Sequence, residues 1–306
     1  MTGRRHRARC GVLTLGIALL AVRCRLDRAS QAGDTGHVSD EAASHQSPAV
    51  PDGSRDRLAD ASVEREGTGA DGASGGLTPI APEPLFTNLT IAGYPQGVVS
   101  VPNGATTRRP VLLVLHGSGD RPDWNCDAWR HITDARGFVL CPRGEYDPRE
   151  STAGDTRYTH RGGAYLRRHV DAALQALGAR FGPYVDTDTP VLVGFSLGAT
   201  EVAQIAIADP ARFARIALLE GGHGVWTAAS ARDFSSKGGR RVLFGCGSAW
   251  CTPLAKASAA LLERHGIETR VVYAAVGHTT DRPLQDAIMR EVSWFLAEDP
   301  RWEPAR

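Results

Sequence analysis

The stretch Val191-Leu192-Val193-Gly194-Phe195-Ser196-Leu197-Gly198-Ala199 constrains this chain more than any other. A short β-branched run follows Pro190. Beyond the serine, Ala199, Val202, Ala203, Ile205 and Ala206 recur at helical spacing. Gly-x-Ser-x-Gly between the two predicts a strand, a sharp turn and a helix, with the serine on the turn. Such a turn strains the serine backbone and pushes its hydroxyl out at the strand's end. Gly194 and Gly198 remove side chains where strand and helix must pass closely. Ser196 is therefore the candidate nucleophile. The plain alternative is a glycine-rich loop with an ordinary surface serine.

The rest of the domain alternates in the same way. Two short strands at 88–92 and 97–101 open it as an antiparallel pair. Further strands are predicted at 111–116, 138–141, 190–195, 215–220, 241–246 and 269–275. Helices are predicted at 123–135, 163–180, 197–208, 254–265 and 283–296. This pattern gives a mostly parallel sheet covered by helices on both faces. Ligands then bind beyond the carboxyl ends of the strands. The connection between Glu220 and Arg241 is too short for a large lid domain. With Trp226 and Phe234 it is a candidate wall of an acyl pocket, and the polar 147–161 stretch is a candidate gate. Both also read as ordinary surface connections.

Ahead of this domain the composition changes twice. Arg4, Arg5, Arg7 and Arg9 precede an apolar run over 11–22, the pattern of an export signal over residues 1–24. The run is shorter than the ~20 apolar residues a membrane span needs. Cys24 offers lipid attachment, and so a membrane tether, as the alternative to plain export. Arg23, however, stands where a small residue is expected. Residues 25–84 are rich in Gly, Ser, Ala and Pro, without apolar periodicity, and read as a disordered tether. The folded domain is expected over 85–299, with a tail at 300–306. The 35 basic and 34 acidic residues nearly cancel, which points away from a nucleic-acid partner.

At this point the residues resemble a known family. Leu115-His116-Gly117-Ser118-Gly119-Asp120, the Gly194–Gly198 turn and Gly277-His278 resemble the oxyanion loop, nucleophile elbow and histidine loop of the α/β-hydrolase superfamily. The resemblance covers nearly all of residues 85–298. It is nearest to small carboxylesterases and thioesterases, and extends to secreted polyester-depolymerase-like esterases. It implies acyl transfer on Ser196 without a cofactor or metal. His278 would be the base that takes the serine proton, with His116 and His223 as rivals. His116, on the strand side of its loop, more often serves a structural role. The oxyanion would be held by the backbone N–H of Leu197, after the nucleophile, and of Ser118, with Gly119 as the alternative.

The acid departs from the family pattern. Its usual place, after the strand before the histidine strand, reads Gly245-Cys246-Gly247-Ser248-Ala249-Trp250, and Trp250 cannot orient an imidazole. Glu220, ending a strand that should neighbour the nucleophile strand, is the candidate acid, and Asp281 is second. Of six cysteines, Cys10 and Cys24 fall in the signal region. The other four admit three pairings. In the family's strand order the strands ending at Cys141 and Cys246 stand four places apart, about 19 Å. Bridged α-carbons must come within about 7 Å. Cys126–Cys141 and Cys246–Cys251 are therefore the expected bridges.

These readings converge on an exported serine hydrolase, secreted, periplasmic or surface-tethered. It would cleave a small-molecule or polymeric carboxylic ester or thioester. A serine peptidase or amidase with the same residues is one alternative. A catalytically impaired hydrolase-fold binding module, motivated by Trp250, is the other.

Overall fold

A computed structural model describes residues 77–303. The expected export signal, Cys10 and Cys24, the tether up to residue 76 and the last three residues lie outside the described residues.

The elements run β1 (Thr87–Leu89), β2 (Gly97–Ser100), β3 (Arg109–Leu115), α1 (Pro122–Ile132), β4 (Phe138–Pro142), β5 (Glu145–Tyr146), β6 (Tyr158–Thr159) and α2 (Gly163–Phe181). There follow β7 (Val185–Phe195), α3 (Leu197–Ala208), β8 (Arg215–Leu219), α4 (Ala228–Ser236), β9 (Arg241–Cys246), α5 (Cys251–Glu263), β10 (Glu268–Tyr273), α6 (Arg282–Met289) and α7 (Val292–Phe295). Eight strands form one sheet in the order β1-β2-β4-β3-β7-β8-β9-β10, and β5 and β6 form a separate hairpin. β2 pairs antiparallel with both β1 and β4, and all later neighbours are parallel.

Alternation along the strands builds two cores. Leu113, Leu140, Leu192, Leu218 and Phe244 face α2, α3, α4 and α5. Leu112, Val139, Val193, Ala217 and Leu243 face α1, α6 and α7. Because β3 is buried on both faces, it reads as a continuous apolar run rather than an alternating one. This strand order, with helices on both faces, is the α/β-hydrolase fold that the sequence resemblance implied.

Several expectations are corrected. The packed chain begins ahead of Leu85: Leu77 and Ile80 donate backbone hydrogen bonds to Thr106 and Ala105, and Ile80 enters the core. It also runs past 299, because Trp302 is buried beside α7. The closing helix is broken into α6 and α7. The first helix starts one residue earlier and ends three residues earlier than expected, at Pro122 and Ile132. The Glu220–Arg241 connection contains α4, and Trp226 and Phe234 pack edge-to-face at 5.4 Å inside the core instead of lining an acyl pocket.

The 147–161 stretch is held down rather than free. Arg157 and Arg121 both pair with Asp155, and the β5–β6 hairpin closes its base. Both expected disulfides are present, Cys126–Cys141 and Cys246–Cys251, with α-carbons 5.9 and 5.5 Å apart. Among the described residues no helix is long and apolar enough to cross a membrane.

Candidate active site

Ser196 sits between β7 and α3 with φ 52° and ψ −116°, a left-handed conformation strained for any residue but glycine. Two contacts hold it there. Its N–H donates to the Leu219 carbonyl at 2.8 Å, and its own carbonyl accepts from Ala199 at 3.1 Å. The flanking glycines are needed for space. A methyl on Gly194 would stand 2.3 Å from the Gly198 backbone, and one on Gly198 would stand 2.1 Å from the Leu115 carbonyl. The elbow thus packs directly on the end of β3, whose following loop carries His116 to Asp120.

His278 lies on the loop after β10, about half exposed. Its Nε2 is 2.9 Å from Ser196 Oγ and its Nδ1 is 3.0 Å from Glu220 Oε2. An Nδ1–H donating to the carboxylate leaves Nε2 to accept from the serine hydroxyl. The imidazole is clasped by two aromatic rings, Phe195 at 5.1 Å and Trp250 at 6.2 Å, the latter stacked at 19°.

Glu220 directly follows β8 with φ 53°, and its side chain is fully buried. A methyl on the next residue, Gly221, would stand 2.4 Å from the Ser196 carbonyl, so the turn passes only because glycine follows. The carboxylate accepts from four donors: Gly247 N–H at 2.5 Å, Ser248 N–H at 2.8 Å, the Ser248 hydroxyl at 2.5 Å and His278. Burial alone would raise its pKa. The Ser248 hydroxyl, the two backbone N–H groups and His278 outweigh that and hold it below the ordinary carboxylate value.

The structure therefore brings Ser196, His278 and Glu220 into one hydrogen-bonded chain. It does not bring Asp281 into it. Asp281 stands at the N-cap position of α6 without a side-chain capping bond, and its carboxylate accepts from the Thr279 hydroxyl at 2.8 Å. His223 stands apart too, meeting the Trp250 ring edge-on at 5.8 Å.

The loop after β3 lies against Ser196. A methyl on Gly117 would be 3.3 Å from Ser196 Cβ. Leu197 is the first residue of α3, and among the described residues neither its N–H nor that of Ser118 has an acceptor. Free N–H groups at a helix start favour negative charge. The Ser118 hydroxyl meets that of Thr159 at 3.2 Å, and Gly117 N–H donates to Asp120. His116 is buried and structural. Its Nδ1–H donates to the Gly117 carbonyl at 2.7 Å, while Nε2 accepts from Gly144 N–H at 3.0 Å. Burial lowers its pKa and keeps it neutral. The His160 ring lies 4.1 Å from it, with neither nitrogen finding a partner among the described residues, and burial pushes its pKa well down.

Sequence reasoning missed the contact of Ser248 with Glu220 and the stacking of Trp250 on His278. The available signal was the Gly-Cys-Gly-Ser run at a strand's carboxyl end. Among the described residues Glu220, Cys246 and Cys251 bring ligand-type atoms together. Both sulfurs are spent in the disulfide, so the cluster has no thiolate to offer a metal.

No protein-family model matches this chain, and no curated protein matches it. Among solved structures it is similar to a carboxylesterase of Bacillus cereus, at 18% identity over 65% of this chain and 92% of that one, TM-score 0.46. It is similar to a fluorophosphonate-binding serine hydrolase of Staphylococcus aureus, at 14% identity over 70% and 98%, TM-score 0.47. It is also similar to an esterase of Rhizomucor miehei, at 14% identity over 69% and 82%, TM-score 0.48. The fold assignment rests on the strand order and layers described above.

Proposed function

We propose that this chain is an exported serine hydrolase that cleaves carboxylic esters or thioesters through an acyl-enzyme on Ser196. The observation that carries the reading is the unbroken chain Ser196 Oγ, His278 Nε2, His278 Nδ1, Glu220 Oε2, with links of 2.9 and 3.0 Å. A serine hydroxyl attacks a carbonyl poorly unless a base removes its proton as the bond forms. His278 Nε2 takes that proton, and the buried Glu220 carboxylate steadies the imidazolium. The tetrahedral oxyanion is met by the N–H groups of Leu197 and Ser118. Loss of one such donor typically costs about 3 kcal/mol of barrier stabilisation. His278 then hands the proton to the departing alkoxide or thiolate, and water repeats the sequence to free the acid.

Trp250 no longer motivates the binding-module alternative, since the imidazole has a carboxylate partner without it. The two disulfides support an oxidising compartment and hence export, to the periplasm, the medium or the cell surface.

A panel of p-nitrophenyl esters, thioesters and chromogenic peptides tests the substrate class. Ester or thioester turnover, lost in Ser196→Ala, is the expected result. Peptide cleavage without ester cleavage would favour the peptidase alternative. No turnover of any kind, with a folded protein, would leave the binding module.

A further inference from the structure

One turn, Gly247-Ser248, supplies three of the four donors to the Glu220 carboxylate: two backbone N–H groups on Oε1 and the Ser248 hydroxyl on Oε2. The same turn carries the histidine loop, because the Gly247 carbonyl accepts from Val276 N–H at 3.2 Å and Gly277 N–H at 3.0 Å. It is pinned at both ends, with Cys246 before it, Cys251 after it and a disulfide between them. It is also pressed from the side, since a methyl on Gly247 would stand 2.2 Å from the Gly277 carbonyl. Ser248 itself is buried.

We propose that Ser248 is a positioning residue for Glu220, and that the Cys246–Cys251 bridge serves to hold it in place. In the family this chain resembles, the acid follows this strand. Here the acid has moved to Glu220, and the vacated loop has become its cradle. The proposal rests on the hydrolase reading above.

The Ser248 hydroxyl shares Oε2 with His278 Nδ1. Its donation fixes the rotation of the carboxylate, so that one lone pair stays aimed at the imidazole. It also withdraws electron density from that oxygen, which keeps the carboxylate a moderate rather than a strong acceptor. The groups facing this carboxylate are Ser248 and Gly247 on one side and His278 on the other. The groups facing His278 are Ser196, Phe195 and Trp250, with His223 reaching only the Trp250 edge. The bridge spans a sequence separation of only 5, so it constrains little unfolded-state entropy and acts chiefly by fixing this loop.

The test is the pH profile of ester hydrolysis for the full chain and Ser248→Ala, with thermal melts to establish folding. The variant should lose about tenfold in kcat with KM nearly unchanged, because a misaimed carboxylate weakens the imidazolium only as the barrier is crossed. The acid limb of kcat/KM should move to higher pH, because a carboxylate stripped of a donor holds the imidazolium proton more tightly. A merely structural role lowers activity without moving that limb, so an unmoved limb overturns the positioning role.

Cys246→Ala/Cys251→Ala carries the same test while keeping Ser248 and Glu220, and it stands in if Ser248→Ala does not fold. It should shift the limb the same way, and a wild-type profile there overturns the role given to the bridge. Failure of the hydrolase reading is separately visible, as turnover that survives Ser196→Ala.

Discussion

Glu220 occupies the left-handed region at φ 53°, inside a fully buried pocket filled with donors. A non-glycine residue is held there only when its surroundings over-determine it. Four hydrogen bonds on one carboxylate do so. Glu220→Gln keeps the volume but lets the amide hold the wrong imidazole tautomer. That change costs about 10⁴ in the serine-protease triad. A loss of kcat of that order, with KM little changed, is expected from steady-state ester kinetics, and Asp281→Asn should cost far less. Near-wild-type turnover in folded Glu220→Gln would return Asp281 to candidacy.

His160 and His116 form a second buried pair beneath the loop of Ser118. Burial lowers both pKa values from 6.5, with Asp120, Arg143 and Asp123 acting on His116, and His116 and His169 acting on His160. The unfolded chain therefore binds protons that the folded one refuses. Stability is full above about pH 6.5 and falls as pH drops below it. Glu220 adds to the same trend at lower pH. Its stabilisation is present above the unfolded carboxylate value and is lost as pH falls through the lower folded one. His160→Phe should shrink the fall in Tm between pH 7 and pH 5, measured by thermal melts. An unchanged fall would show that His160 does not carry it.

The elements that frame the site were the legible ones. α3 and β9 stand where the apolar runs and the Gly-x-Ser-x-Gly turn predicted, and β7 ends there but begins earlier, at Val185, because Asp186 to Thr189 are polar and not buried and carry no apolar run. α4 was not foreseen, because its start signal is a weak one. Thr227 and Ser230 cap each other reciprocally, with serine in place of the usual acid or amide. Thr227→Ala should therefore cost about 1 kcal/mol in denaturant melts and leave kcat unchanged. The cradle at Gly247-Ser248 was equally hidden. Its role is defined by a glutamate nearly thirty residues earlier in the chain, and no local pattern records such a partner. At the elbow, Gly198→Ala would drive a methyl to 2.1 Å from the Leu115 carbonyl, so soluble folded protein should not be recovered. A folded Gly198→Ala would mean that the turn is looser than described.

Across the described residues, two cores and two bridges hold three distant segments together: the loop after β3, the turn after β7 and the loop of His278 after β10. The Cys126–Cys141 bridge ties α1 to β4 across 15 residues. Removing it should cost about 3 kcal/mol in the chain-entropy picture, more than removing Cys246–Cys251, as read from urea melts of the two double-alanine variants. The reverse order would show that the shorter bridge stabilises the fold directly.

On the proposed mechanism, this scaffold activates Ser196 and no other serine. Incubation with a fluorophosphonate probe, followed by intact-mass analysis and peptide mapping, tests it most directly. A single adduct on Ser196 in the wild-type chain, and none in a folded Ser196→Ala variant, is the predicted result. An adduct on another serine, or wild-type labelling that persists in Ser196→Ala, would contradict it.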